Sequence, residues 1–205
     1  MSLLDLARVR KIDLGSGPKP RADHLGLDSG VPVGSEWPGV LRFDVTTGVP
    51  WPFEDGQIDE LYASHFIEHV PASSIMACRL CPPGDTGFRH PLLAGRRYEM
   101  SQQQDALCWV FEEAWRVAAA GASFRLRWPS LLDERDGTVS LLPFRDPTHR
   151  RFIPRDQLHY FSSWGRKEMQ VESYGLTCDW QIESEGQASL GACGFEYDVT
   201  LRKRA

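Results

Sequence analysis

The chain has 205 residues, enough for one domain with a substantial core, and 41% of them are hydrophobic and 25% charged. We predict a single domain over residues 1–205. The formal net charge of −5 gives no general reason to expect a nucleic acid partner, although Arg145, Arg150, Arg151 and Arg155 lie close together. No apolar run approaches the roughly 20 residues that span a bilayer, and the first residues lack a secretory pattern. We therefore expect no membrane partner. Because the five cysteines have no disulfide-framework spacing, we also expect free thiols and a cytoplasmic protein.

Short apolar runs bounded by glycine, proline or acidic residues predict the strands of a sheet. In chain order these runs are 9–14, 25–28, 40–45, 58–63, 122–128, 176–183 and 195–202. A helix is predicted over 104–119, because apolar residues recur there at helical spacing. Strands that alternate with helices or helix-length spacers predict an α/β fold with a doubly wound, mostly parallel sheet. The short connection between the last two strands, through a glycine-rich linker at 185–194, predicts an antiparallel hairpin at one edge.

Residues 73–104 carry no clear periodic pattern. Pro82-Pro83-Gly84, Gly87 and Gly95-Arg96-Arg97 interrupt this stretch. The segment is therefore predicted to be a long irregular insertion, and such insertions in compact domains are often lids or binding elements.

A glycine turn follows the first predicted strand, in the sequence Asp13-Leu14-Gly15-Ser16-Gly17. Glycine allows a tight turn whose backbone approaches a ligand closely, and an acid at the end of the next strand, here Asp28, accepts hydrogen bonds from a ribose. Asp44 ends the third predicted strand. Together these features predict a nucleotide-like ligand. A dinucleotide fits poorly, because the Gly-x-Gly-x-x-Gly spacing is absent and Pro18 and Pro20 remove two amides from the turn.

Segments along most of the chain resemble the class I S-adenosylmethionine (SAM)-dependent methyltransferases, particularly the small proteins of this class that read DLGCGPxP. The matching segments are IDLGSGPKP (12–20), LGLD (25–28), FDVTTGVPWPFEDGQIDELYASHFIEHV (43–70), FEEAWRVAAAGASFRLRWP (111–129) and DPTHRRF (146–152). The resemblance implies a seven-stranded Rossmann-like sheet with an inserted antiparallel last strand. It also implies SAM as the cofactor and S-adenosylhomocysteine as the product. Ser16 stands where the family usually has cysteine, and residues 119–122 depart from its usual Pro-Gly-Gly turn.

The resemblance assigns a cofactor-binding role to eight residues, which are Asp13, Gly15, Ser16, Gly17, Asp28, Asp44, Val45 and His65. Gly15 and Gly17 would pass close to the methionine part of SAM, whose amino group Asp13 would help to hold. Asp28 would bind the ribose hydroxyls. The adenine would lie against Val45 with its amino group on Asp44, and His65 would line the pocket beside the transferable methyl group.

Three side chains are predicted to be catalytic. His149 and Asp146 follow the fifth predicted strand, where an acceptor would lie, and His65 follows the fourth. Methyl transfer from a sulfonium mainly requires alignment and exclusion of water, and a base is needed only when the nucleophile is protonated. The structural alternative for His149 is a loop histidine bonded to a backbone carbonyl. Glu68 and His69 are expected to begin the next helix and to orient it.

No metal site is predicted from the sequence. Cys78-x-x-Cys81, with His90 or Cys108 as further ligands, is the one zinc-like arrangement, and it lacks the second ligand pair that such sites usually have.

The sequence favours a small-molecule or saccharide-like acceptor with an O, N or C nucleophile, but it does not fix the acceptor or the oligomeric state. Residues 63–66 differ from the Asp-Pro-Pro-Tyr tetrapeptide that marks methylation of nucleobase amino groups. One alternative is a methyltransferase acting on a protein or RNA through residues 145–155, which a basic groove flanked by exposed aromatic residues would favour. The other is a non-catalytic binding or assembly protein that retains the fold.

Overall fold

The computed structural model describes residues 3–81, 87–90, 92–93, 96–172, 175–191 and 194–204. In chain order its elements are α1 (Leu3–Leu6), β1 (Lys11–Leu14), β2 (Leu25–Asp28), β3 (Val40–Arg42), β4 (Ile58–Ser64), β5 (Ser74–Leu80), β6 (Phe88–Arg89), β7 (Arg97–Asp105), α2 (Ala106–Val117), β8 (Ala118–Ser130), α3 (Leu142–Arg145), α4 (Ser163–Glu168), β9 (Trp180–Ser189) and β10 (Phe195–Lys203). The 3-10 helices Ile67–His69 and Arg155–Phe161 lie between these elements.

Seven strands form the main sheet, in the order β3-β2-β1-β4-β8-β10-β9. Strands β1, β2, β3, β4 and β8 are parallel, and β10 lies antiparallel between β8 and β9. The predicted α/β fold, with its mostly parallel seven-stranded sheet and antiparallel edge hairpin, is confirmed. Strand β9 extends to Ser189, into the predicted glycine-rich linker, because residues 185–189 pair with β10.

The connections of this sheet are poorer in helix than the spacer lengths suggest. Within the described residues, turns and loops join β1 to β2, β2 to β3 and β3 to β4. Each of these connections contains prolines, which remove the amide that a helix interior requires. The helix expected to begin at Glu68 and His69 is likewise only one 3-10 turn. Pro71 disfavours helical geometry at Val70, which is extended, so this prediction was wrong.

Residues 73–104 contain regular structure. The prediction of an irregular insertion was therefore wrong for residues 74–80, 88–89 and 97–104, which form strands. Strands β5, β7 and β6 build a separate antiparallel sheet, in which Ser74 to Leu80 pair with Tyr98 to Asp105. Residues 82–86, 91 and 94–95 of the insertion, including Pro82-Pro83-Gly84 and Gly95, lie outside the described residues.

The core lies around α2 and the main sheet. Asp105 caps α2 by accepting hydrogen bonds from the amides of Leu107 and Cys108. The ring of Phe111 stacks on Phe161 with their centroids 3.7 Å apart. Three tryptophans, Trp51, Trp128 and Trp180, are fully buried in this core. No helix in the described part of the chain has the length and apolar character required to span a bilayer.

Candidate active site

A cavity of about 420 Å³ opens at the carboxyl ends of the four parallel strands β1 to β4. Its lining residues are Gly15, Gly17, Leu27, Asp28, Ser29, Phe43, Asp44, Val45, Thr46, His65, Phe66, His69 and Pro71. The chain order of the strands reverses between β1 and β4, and ligands of open α/β sheets bind at such a switch point. The fold therefore directs a ligand to this edge of the sheet.

The turn after β1 has the geometry that its glycines predict. Gly15 and Gly17 have φ values of +61° and +59°, which disfavour residues with a side chain. A Cβ on Gly15 would lie only 2.4 Å from Cδ2 of Phe66, so the ring of Phe66 covers this part of the turn. The amide of Gly15 donates to the carbonyl of Leu27, which ties the turn to β2.

Two carboxylates face the cavity from consecutive strand ends. Asp28 accepts one hydrogen bond on each oxygen, from the amide of Gly17 at 2.8 Å and from the amide of Gly30 at 2.6 Å. In Asp44, Oδ1 accepts from both the amide and the hydroxyl of Thr46. Each carboxylate oxygen has about two lone-pair sites, so both groups are held in place while retaining capacity to accept from a ligand.

Two predicted cofactor residues support this turn and do not line the cavity. Asp13 is buried, and its Oδ2 accepts a hydrogen bond from the amide of Arg21 at 2.8 Å. Burial raises the pKa of the Asp13 carboxyl above its ordinary value, against the opposing effect of the Arg21 amide. The hydroxyl of Ser16 donates to the carbonyl of Gly17. The predicted cofactor roles of both residues stay predictions.

His65 lines the cavity in an unusual backbone conformation, with φ of +52°. Its amide donates to the carbonyl of Arg127. Its Nδ1 lies 3.3 Å from Oε1 of Glu68, and its Nε2 lies 3.1 Å from Oε2 of Glu196. Glu196 is buried and also pairs with Arg127. His65 is therefore held between two buried carboxylates at the end of β4.

Glu68, His69 and His149 form a cluster beside this histidine. One potential ligand atom from each residue lies within 4.8 Å of the others. The rings of His69 and His149 meet edge to face, with their centroids 4.8 Å apart. Asp146, which was predicted to act with His149, lies 4.0 Å from its Nε2. His69 lines the cavity, so the cluster adjoins the same end of the site as His65.

Sequence reasoning did not predict seven of the residues that line the cavity, which are Leu27, Ser29, Phe43, Thr46, Phe66, His69 and Pro71. Most flank a predicted residue in the chain, so the ends of β2, β3 and β4 were themselves the available signal.

The zinc-like arrangement gains no support, because both ring nitrogens of His90 have partners. Its Nε2 bonds to the carbonyl of Pro50, and its Nδ1 accepts from the amides of Leu92 and Leu93.

A second cavity, of about 550 Å³, lies between β7 and the 3-10 helix Arg155–Phe161. Its polar lining includes Gln102, Gln103, Gln104, Asp105, Arg151, Gln157 and Tyr160. The guanidinium of Arg151 donates to the carbonyl of Pro71, which lines the first cavity. The two cavities are therefore neighbours on either side of this contact.

No protein-family model and no curated protein matches the sequence. Among solved structures, a SAM-dependent methyltransferase from Methanosarcina mazei is 12% identical with a TM-score of 0.51, over 96% of this chain and 92% of its own. The 1,6-didemethyltoxoflavin-N1-methyltransferase of Burkholderia thailandensis, solved with S-adenosylhomocysteine, is 11% identical with a TM-score of 0.51, over 96% of this chain and 72% of its own. At these identities the likeness concerns the fold. The chain has the Rossmann-like fold of the class I SAM-dependent methyltransferases, as its sequence predicts.

Proposed function

We propose that the protein is a SAM-dependent methyltransferase that transfers a methyl group from SAM to a small-molecule or saccharide-like acceptor, at an O, N or C nucleophile. One observation carries this proposal. The cavity at the switch point of the sheet combines a left-handed glycine turn with Asp28 and Asp44 at consecutive strand ends. Such an edge suits a nucleoside whose hydroxyl and amino groups donate hydrogen bonds.

The chemistry of the lining fits SAM better than a phosphate-bearing nucleotide. Asp28 and Asp44 are its acidic groups, and no lysine or arginine lines the cavity in the described part of the chain. Two carboxylates without a basic partner repel phosphates and attract the positive sulfonium and ammonium groups of SAM. Leu27, Phe43 and Val45 supply apolar surface for the adenine.

When bound, SAM supplies a methyl group already activated by its sulfonium. The residues of the chain must then align the acceptor, exclude water and receive a proton where the nucleophile carries one. Of the three predicted catalytic side chains, His65 lines the cavity, with its Nδ1 3.3 Å from Glu68 and its Nε2 3.1 Å from Glu196. His149 and Asp146 would act beside His65. The ring of His149 contacts His69, which lines the cavity, and Asp146 lies 4.0 Å from Nε2 of His149.

The second cavity supports a polar, saccharide-like acceptor. It neighbours the cofactor cavity across the Arg151–Pro71 contact, and its lining is rich in amide side chains. Within the described part of the chain, Nε2 of Gln104 is buried without a hydrogen-bond partner, while Oε1 of the same residue accepts from Gln102. A buried donor of this kind is costly unless a ligand oxygen accepts from it.

The surface near residues 145–155 supports a second candidate, a macromolecular acceptor. Phe144 and Phe152 are 56% and 49% exposed and pack against each other, and Arg145 and Arg150 are exposed beside them. Against this candidate, Arg155 is paired with Glu134 and Glu185, and Arg151 is bonded to Asp105. Tritiated SAM offered to fractionated cell extract separates the two candidates, because the label enters either the small-molecule fraction or the RNA and protein fraction.

The test of the proposed function is a calorimetric titration with S-adenosylhomocysteine of the wild type, Asp28→Ala and Asp59→Ala. We expect wild-type binding to weaken at least about tenfold in Asp28→Ala, since hydrogen bonds to a charged group contribute about 1.5–3 kcal/mol. Asp59 is exposed in β4, outside the cavity lining, so Asp59→Ala is the matched control and should bind as the wild type does. A folded wild type that does not bind would favour a non-catalytic assembly protein instead.

A further inference from the structure

Glu68 is a buried carboxylate with unmet hydrogen-bonding capacity. The residue is 2% exposed, and among the residues that the structure describes neither Oε1 nor Oε2 has a hydrogen-bond partner. Nδ1 of His65 lies 3.3 Å from Oε1, but the two groups are not aligned for a hydrogen bond. A carboxylate buried in this way is strongly disfavoured unless it meets a proton, a cation or a metal ion.

The hydrogen bonds of His149 fix which of its ring nitrogens is free. Its Nδ1 lies 2.7 Å from the carbonyl oxygen of Pro143, so Nδ1 carries the proton and donates. In the neutral ring, Nε2 then has a lone pair, and this atom lies 4.0 Å from Oε1 of Glu68. A lone pair and a carboxylate oxygen therefore face each other across a gap that suits a cation.

The hydrogen bonds of His69 also fix which of its ring nitrogens is free. The hydroxyl of Thr148 donates its proton to Oδ1 of Asp146 at 2.6 Å, so it can only accept from Nδ1 of His69, which lies 3.1 Å away. The carbonyl of Thr148 is a further acceptor for Nδ1 at 3.4 Å. Nε2 of His69 is therefore left with a lone pair, as in metal-binding histidines whose other nitrogen donates to a carbonyl or carboxylate.

We infer that Glu68, His69 and His149 bind a divalent transition-metal ion. Two imidazoles and one carboxylate form a donor set that suits zinc, iron or nickel better than magnesium or calcium, which prefer oxygen ligands. One potential ligand atom of each residue lies within 4.8 Å of those of the other two, and zinc forms bonds of about 2.0–2.2 Å to such atoms, so binding would draw the three side chains closer together. Three protein ligands leave the ion with open positions, as in catalytic sites.

The position of the site indicates what an open position would hold. His69 lines the cofactor cavity, and this part of the inference rests on the proposed function. A hydroxyl oxygen of the acceptor could replace water on the ion, which would lower the pKa of the hydroxyl so that a base of the site, such as His65, would take its proton. The site thus selects an oxygen nucleophile from the O, N and C nucleophiles of the proposed function.

The test is a calorimetric titration of chelator-treated protein with zinc chloride, for the wild type, Glu68→Gln, His149→Asn and Cys78→Ser. We expect the wild type to bind about one equivalent, and both ligand variants to bind at least about tenfold more weakly. Cys78→Ser is the control for zinc binding by thiols and should match the wild type. Glu68→Gln keeps the size of the side chain, and circular dichroism checks that each variant is folded.

Either of two results would overturn the site: no zinc binding by the folded wild type, or equal binding by the wild type and Glu68→Gln. Loss in Cys78→Ser alone would assign the zinc to thiols and also overturn it. Cobalt(II) gives a second readout, because its visible spectrum should lack thiolate charge-transfer bands. S-adenosylhomocysteine titrated into the same metal-free samples keeps the two proposals separate: zinc binding without cofactor binding refutes only the methyltransferase, and the reverse refutes only the metal site.

Discussion

Asp13 carries its carboxyl group inside the protein, beside the glycine turn that lines the cavity at the switch point of the sheet. It is 5% exposed, and its hydrogen bond to the Arg21 amide does not offset the loss of water, so burial raises its pKa. Asp28, at the end of the neighbouring strand, is only partly buried and faces the cavity. Two acids that look alike in the sequence therefore have different surroundings: Asp13 supports the turn, and Asp28 faces the cavity, where we propose that it binds the cofactor.

Asp13→Asn should change how stability depends on pH. A carboxyl whose pKa is raised in the folded state favours folding at low pH, and this contribution is lost as the pH rises through the raised pKa. Asparagine keeps an acceptor for the Arg21 amide but does not ionise. We therefore expect the free energy of unfolding of Asp13→Asn, relative to the wild type, to increase between about pH 4 and pH 7. Urea unfolding at several pH values measures it.

Asp59→Asn is the matched control, because it makes the same change at a residue of the sheet that is exposed rather than buried. A difference for Asp13→Asn that stays constant or falls as pH rises would contradict the assigned effect of burial.

The sequence identifies those site residues that follow a strand end and misses those that depend on distant pairing. Gly15, Asp28 and Asp44 each follow from a turn or strand pattern of a few residues. Glu196 lies 131 positions from His65 and meets it only because β10 inserts beside β8, with Glu196 opposite Pro129. No local pattern encodes that register, so its role as a partner of His65 had no sequence signal.

At the scale of elements, apolar patterning separates the predicted elements from the missed ones. The spacing of Leu107, Val110 and Phe111 predicts a helix over 104–119, and α2 spans Ala106–Val117. Strand β7, with the sequence RYEMSQQQD, has few apolar residues, so neither alternation nor a buried run marks it as a strand. It forms because β5 supplies backbone partners along most of its length.

Asp105 should stabilise α2 chiefly as its N-cap. Its Oδ1 accepts from the amides of Leu107 and Cys108, while Oδ2 pairs with Arg151. We expect Asp105→Ala to lower the free energy of unfolding by about 1 kcal/mol or somewhat more, since the cap is lost. Asp105→Asn should lose less, because asparagine caps helices equally well and only the partly exposed ion pair is removed. Thermal unfolding compares the two variants. Equal losses would instead assign the stabilisation to the ion pair.

On the scale of the whole molecule, the small sheet is held on the loop between β3 and β4. The amide of Cys78 donates to the carbonyl of Gly48, and Nε2 of His90 donates to the carbonyl of Pro50. Arg96 pairs with Glu54 further along the same loop. Sequence reasoning located the insertion at 73–104, but it could not place it on this loop, because most of these contacts use backbone carbonyls that any residue would offer.

Gly48→Ala should loosen this attachment. Gly48 has φ of +81°, and a Cβ there would lie 2.2 Å from the carbonyl oxygen of Met76 in β5. We expect a loss of at least about 2 kcal/mol in the free energy of unfolding, from backbone strain and from the clash together. Gly137→Ala is the matched control, because Gly137 has φ of +76° and no atom of the described residues lies within 4 Å of its Cβ position. The free energy of unfolding of this control should fall by only about 1–2 kcal/mol, from backbone strain alone.

Hydrogen exchange separates a loosened attachment from a general loss of stability. In Gly48→Ala the amides of β5 and β7 should exchange faster than those of β1 and β4, because the clash acts where the small sheet meets the loop. In Gly137→Ala the small sheet should exchange as in the wild type. Equal stability of the two variants, or equal acceleration in both sheets of Gly48→Ala, would show that the small sheet does not depend on the close approach of Gly48 to Met76.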